Sequence, residues 1–172
     1  MSLVERLLNL VANKEDIVND DSLYLRRWRL FGYNAKLPYL FGRGVMIHRI
    51  VRPDADRDPH NHPWDFWSLV LKGSYIEDIY HGVYTHRGRL EFPAESITRV
   101  ARKFGALDWR PAEHMHRIDK LPDGDAWTLV VVKRRTDHKW GFWTPRGWVY
   151  WKEYITAKQD AGVVISASKS PS

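Results

Sequence analysis

Apolar side chains at Leu3, Leu7, Leu10 and Val11 recur on one face of a helical period, and Ser2 with Glu5 has the spacing of a capping box. The opening segment therefore predicts an amphipathic helix over residues 3 to about 13, with the leucine face packed on the rest of the chain. From Gly32 onward the pattern shifts to short β-rich runs punctuated by Gly, Pro, Asn and Asp. Those runs are Val45–Val51, Phe66–Leu71, Tyr75–Tyr80, Gly82–Thr85, Ile97–Ala101, His114–Ile118 and Trp127–Val132. They lie too close together for crossover helices, so antiparallel pairing in a β-sandwich or small barrel is expected. Gly141–Pro145 reads as a loop, and Trp148–Lys158 as a last strand or short helix. Ser166–Ser172 is small and polar and predicts a disordered tail. No internal repeat or linker interrupts the β region.

At 172 residues the chain has room for one domain, and 44% hydrophobic with 28% charged residues fits neither a membrane protein nor a disordered chain. Its start carries neither a basic n-region nor a long apolar run, so no signal peptide or membrane span is expected, and cytoplasmic residence follows as the default. The absence of Cys removes disulfides, thiolate ligands, iron-sulfur clusters and cysteine nucleophiles together. Any metal must rest on His, Asp or Glu. With 27 basic against 21 acidic residues the net charge is +6, which suits solubility as well as an anionic partner.

Four of the 8 histidines form two His-x-His pairs, His60/His62 and His114/His116. In an extended strand residues two apart share a face, so each pair can present two imidazoles to one interior. Neutral imidazole binds Zn, Fe, Ni, Cu or Mn, and three of them leave positions open on the cation for water, oxygen or a chelating substrate. Strand parity does not choose between His114 and His116 as a third ligand. His48 shares parity with Met46 and Ile50 and is expected as a packed interior imidazole. His81, His86 and His138 lie in or near turns and are expected at the surface.

The stretch Asp58-Pro59-His60-Asn61-His62-Pro63-Trp64-Asp65-Phe66-Trp67, running on to Gly73, resembles the first motif of the cupins: Gly, His-x-His, Glu and Gly at set spacing. Gly105 to Pro111 followed by Ala112-Glu113-His114-Met115-His116 resembles their second motif, with Pro, Gly, His and Asn. The likeness spans residues 54 to 120, and the flanking strand pattern extends it to roughly 32–132. It implies an all-β, cupin-type antiparallel jelly-roll barrel or sandwich with a short N-terminal helix. The expected organisation is a helical flank at 1–20, a cupin domain at 21–165 and a disordered tail at 166–172. By motif spacing it assigns His60, His62 and His116 to the metal. The departures are equally definite: Asp54 stands for the first Gly, Glu113 for the second Gly of the second motif, and Lys120 for its Asn. The ligand Glu should fall at Phe66 or Trp67, neither of which is a carboxylate.

Asp65, Glu113 and His114 are accordingly the candidates for a fourth ligand or an acid/base group. Trp64, Trp67 and Trp127 are candidate walls of a pocket, and Ser68 shares the inward parity of Phe66. Arg26-Arg27-Trp28-Arg29 and Lys133-Arg134-Arg135 have the composition of a nucleic-acid footprint, although solvated runs at element ends are the commoner reading. Arg99, Arg102 and Lys103 divide between two strand faces and are expected to be mostly solvated. The resemblance implies a metal-dependent small-molecule enzyme, dioxygenase-like and with Fe(II) favoured over Zn, Mn or Ni. The alternative it implies is a non-catalytic cupin that binds a small ligand or sugar. A homodimer is also within the family's habits, whereas nucleic acid and membrane are not expected partners.

Overall fold

The computed structural model describes residues 2–19, 22–54, 57–133 and 138–160, together with the backbone of 165–169. Helix α1 (Leu3–Val11) opens with the expected capping box, in which Ser2 Oγ accepts from Glu5 N while the Glu5 carboxylate accepts from Ser2 N. Its facing is the reverse of the expectation. Leu3, Val4, Leu7, Leu10 and Val11 are exposed, whereas Glu5 is buried and Leu8 and Ala12 pack on Trp28 and Trp127. The cause is electrostatic: Glu5 is drawn onto Arg26 and Arg49 of the sheet beneath, at 2.8 and 3.0 Å, which rotates the leucine stripe outward.

Two strands follow that the apolar pattern does not mark, β1 (Asn13–Asn19) and β2 (Ser22–Phe31). They pair antiparallel with Glu15 opposite Arg27 and Asp16 opposite Arg26, so their charges cancel across the ladder. β3 (Gly44–Ile50) and β4 (Phe66–Tyr80) come next, then the hairpin β5 (Tyr84–His86) and β6 (Arg89–Glu91). β7 (Ile97–Lys103), β8 (Leu107–Arg110), β9 (His116–Lys120) and β10 (Ala126–Val132) complete the main sheet. Residues 141–144, expected as a loop, form strand β11 (Gly141–Thr144), and the last aromatic segment splits into β12 (Gly147–Tyr150) and helix α2 (Trp151–Asp160). The backbone of β13 (Ile165–Lys169) pairs with β1, so this part of the expected disordered tail is in the sheet; residues 170–172 lie outside the described residues.

The strand order is β13-β1-β2-β3-β10-β4-β7, with β8 and β9 also on β4. The two runs expected at 66–71 and 75–80 are thus one strand, and it serves both halves of the barrel. Its first half lies between β10 and β8, and its second between β7 and β9. The change of partners occurs at Gly73, whose φ of +70° and close approach to the Asp125 carbonyl exclude a side chain. Beyond this bend the second half of β4 runs against β7 and β9. Ile118 of β9 then packs with Tyr24, Leu25, Ile50, Val70, Tyr75 and Ala126 from the opposite wall. Met46, Phe66, Val130 and Val132, with Trp64 against them, fill the other end. The result is an all-β, antiparallel, jelly-roll barrel with a short N-terminal helix.

Candidate metal centre

His60 and His62 lie in an extended segment that is itself stitched between strands. His60 N donates to His116 O and His116 N to His60 O, both at 3.0 Å, and His60 also bridges Phe142 of β11. His62 N donates to Ala112 O, while Asn61 Oδ1 accepts from Gly141 N at 2.9 Å. Asp54, in the place of a motif glycine, pins β9 by accepting from Ile118 N at 3.0 Å. The backbone of the His-x-His pair is therefore tied to β9, to β11 and to the turn before β9.

The structure brings His60, His62 and His116 together. His62 Nε2 and His116 Nε2 are 2.7 Å apart, and the His60 ring centroid lies 5.3 Å from that of His62 and 4.9 Å from that of His116. One nitrogen from each ring falls within 4.8 Å of the others. His60 Nδ1 is buried and has no hydrogen-bond partner. Burial holds His60 and His62 toward the neutral, ligating form. It drives His60 down to about 3 against the pull of Asp54, with His116 and Arg57 adding to the drop. His62 is pushed well below its usual range by burial first and then by His116 and His60. Three imidazoles with one nitrogen each within 4.8 Å of the others fit a divalent cation, and a cation would also relieve the two facing Nε2 atoms.

The walls are aromatic, but they are not the expected tryptophans. Phe66 stands edge-on to His62 at 4.9 Å, and Phe142 lies 5.4 Å from His60 with Tyr154 stacked behind it. Trp127 stacks on Trp28 beneath α1, Trp67 faces outward beside Trp109, and Trp64 packs on the Met46 and Phe66 cluster. Ser68 points inward and is buried, and its hydroxyl bonds to Tyr75.

Of the remaining candidates only His114 joins the imidazoles. It precedes β9 in a turn, yet its ring stands 5.2 Å from that of His116. Asp65 does not approach them: Oδ1 accepts from Ala112 N at 2.9 Å and Oδ2 from Lys133 at 2.7 Å, bracing the turn before β9. Glu113 is 72% exposed and its nearest titratable contact is His138 at 3.9 Å. His48 is the expected packed imidazole, accepting from Arg27 Nε at 3.0 Å, and burial followed by Arg27 and Arg29 keeps it neutral. His81 and His86 are at the surface, on Thr98 and Glu91. His138 is half-buried and docks on Asn61, between His60 and His62, at 3.1 Å.

A carboxylate does reach the imidazoles, from a position outside the motif. Glu77 of β4 is fully buried, with Oε1 2.6 Å from His116 Nδ1 and 3.4 Å from His114 Nε2. The shorter approach is angled off the ideal N–H line of the ring. Its Oε2 accepts from Arg110 Nη2 at 2.7 Å and Arg102 Nε at 3.2 Å. Burial opposes ionisation of Glu77, but His114, His116 and Arg110 outweigh it and hold the carboxyl well below its usual range. Arg102, expected in solvent, is therefore an interior group. The sequence signal was modest: Glu77 shares the strand parity of Tyr75, whose hydroxyl also binds Arg110.

The described residues of the basic clusters are paired within the fold. Trp28 is fully buried, Arg26 binds Asp16 and Glu5, and Arg27 and Arg29 bind Glu15. Lys133 is taken by Asp65, and Arg134 and Arg135 lie outside the described residues. Among the described residues no helix is long and apolar enough to cross a membrane.

No protein-family model and no curated protein matches this chain. Solved structures do. The dimethylsulfoniopropionate lyase ("DMSP lyase DddQ") of Ruegeria pomeroyi DSS-3 is 14% identical with a TM-score of 0.47, covering 72% of this chain and 54% of its own. "FeII HppE" is 14% identical with a TM-score of 0.46, covering 69% and 56%. An oxalate decarboxylase is 12% identical with a TM-score of 0.48, covering 70% and 28%. The chain spans about half the length of the lyase and of HppE. At 12–14% identity the chemistry of those proteins does not transfer residue by residue.

Proposed function

We propose that the protein is a metal-binding cupin and a metal-dependent enzyme acting on a small molecule, with dioxygenase-type chemistry favoured. His60, His62 and His116 hold one divalent ion, Fe(II) ahead of Zn, Mn or Ni. The observation that carries this reading is the convergence of three imidazoles, with His62 Nε2 and His116 Nε2 2.7 Å apart and a ring nitrogen of His60 within 4.8 Å of one nitrogen on each. When bound, such an ion supplies Lewis-acid activation and open positions for a chelating substrate or oxygen. The chain's own residues supply the rest. Phe66 and Phe142 exclude water from two sides of the rings. His114, 16% exposed, is the titratable side chain beside these rings placed to take part in proton transfer, with its Nε2 turned to Glu77 Oε1 at 3.4 Å. Its lowered pKa, set first by burial and opposed by Glu77, favours the proton-accepting form near neutrality.

The experiment is elemental analysis of the full chain purified after growth with Fe, Mn, Zn or Ni, followed by oxygen uptake with a panel of small carboxylates and thiols. Near-stoichiometric metal that vanishes in a His60→Ala, His62→Ala double variant is the expected result. Absence of metal under every supply overturns the reading.

One observation favours a second reading, a non-catalytic cupin that takes a small ligand or sugar. A surface hollow of about 350 Å³ is lined by Arg43, Trp67, Trp109 and Lys133, away from the imidazoles. Quenching of tryptophan fluorescence by sugars or sugar acids, lost in Trp109→Ala, would place binding there.

A further inference from the structure

We propose that Glu77 is a positioning residue that presets the His116 imidazole, holding Nδ1 so that Nε2 stands bare toward His60 and His62, and is not a fourth ligand to the same cation. This rests on the assignment of His60, His62 and His116 as the metal set. A neutral imidazole carries one proton, on one nitrogen or the other, and the partner of the second nitrogen decides which. Here the two nitrogens of one ring look in opposite directions. Nδ1 meets Glu77 Oε1 at 2.6 Å and Nε2 meets His62 Nε2 at 2.7 Å. A cation among the three imidazoles therefore sits across the ring from Glu77, beyond reach of its oxygens.

The carboxylate is itself immobilised. Arg110 Nη2 and Arg102 Nε fasten Oε2, and Arg102 is anchored in turn on Asp108 at 2.6 Å. Oε1 is left for the histidines. The same two guanidiniums argue against the other arrangement open to these side chains, a second cation among Glu77, His114 and His116, because a divalent ion there would share its carboxylate with two arginines. A buried carboxylate behind a ligating histidine is the arrangement by which an outer group fixes ring orientation and raises ligand basicity.

The test uses the full chain labelled with 15N-histidine. In chelator, imidazole spectra report the His116 tautomer without any metal; separately, Zn(II) alone is titrated and the Co(II) absorption is recorded. Expected are the Nδ1–H tautomer in the wild type, a tautomer mixture in Glu77→Gln with Zn(II) affinity about 10–100-fold weaker, and an unchanged Co(II) band pattern. Glu77→Asp, which keeps the charge for Arg110 and Arg102, recovers part of the affinity and guards against a folding defect in the Gln variant. An Nε2–H tautomer in the wild type, unchanged Zn(II) affinity in Glu77→Gln, or a Co(II) spectrum reporting a lost ligand each overturns the proposal. A wild type that binds no Zn(II) or Co(II) defeats the metal assignment, while the tautomer measurement still decides whether Glu77 governs His116.

Discussion

Glu5→Gln removes one charge from the junction between α1 and the barrel while leaving the shape nearly intact. The Glu5 side chain is only 3% exposed and accepts from Ser2 N at 2.8 Å, Arg26 Nη1 at 2.8 Å and Arg49 Nη1 at 3.0 Å. Hydrogen bonds to a charged group contribute about 1.5–3 kcal/mol each. Arg26 and Arg49 keep Asp16 and Asp125, so neither guanidinium is orphaned and the net loss should be about 2–3 kcal/mol. For a chain of this size that corresponds to a Tm lowered by about 4–12 °C at pH 7. The pH dependence is diagnostic. Burial opposes ionisation of Glu5, but Ser2 N–H, Arg26 and Arg49 outweigh it and hold the carboxyl down to about 2 from 4.5. A depressed folded pKa gives stability that is fully present above the unfolded value and drains away as pH falls toward the folded one. The Tm gap between wild type and variant should therefore be constant from pH 7 to about 5 and shrink steadily below 4.5. Thermal unfolding followed by circular dichroism across that range measures it. A gap under 1 °C at neutrality, or one equally wide at pH 3, refutes the reasoning.

Trp28→Ala should cost about 3–5 kcal/mol, since the ring is fully buried and stacked on Trp127 at 5.5 Å, and chemical denaturation should show a lowered midpoint. Gly73→Ala should be poorly folded, because a β-carbon there meets the Asp125 carbonyl and φ is +70°; soluble yield and Tm check this, and wild-type values would contradict it. Metal-loaded protein should lose about 2.7 kcal/mol of stability on dialysis against chelator if the free ion was at 100 times its Kd. The His62→Ala variant should show no such change.

The two His-x-His pairs could be read directly, and the structure gathers three of their rings. What could not be read was the partner chemistry, because it comes from positions far apart in sequence. Glu77 owes its burial to Arg102 and Arg110, and a search for a carboxylate four or five residues past His62 passes it by. β1 and β2 escaped notice because Lys14, Glu15, Asp16, Arg26, Arg27 and Arg29 read as a solvated stretch until their cross-strand register pairs them. The existence of α1 followed from its cap and period, but not its facing. An apolar stripe marks what prefers to be buried, and the distant Arg49 decided which side of the helix was. Asp65, chosen for its nearness to the motif, was committed to Lys133 and the Ala112 amide instead.

β4 contributes Phe66, whose edge rests on His62, and eleven positions later Glu77, which abuts His116. Both supports of the imidazole cluster are thus carried on one unbroken backbone, hinged at Gly73. Angular error at that hinge would move the two supports against each other, so the precision of the imidazole cluster is inherited from a single dihedral pair in a residue that binds nothing.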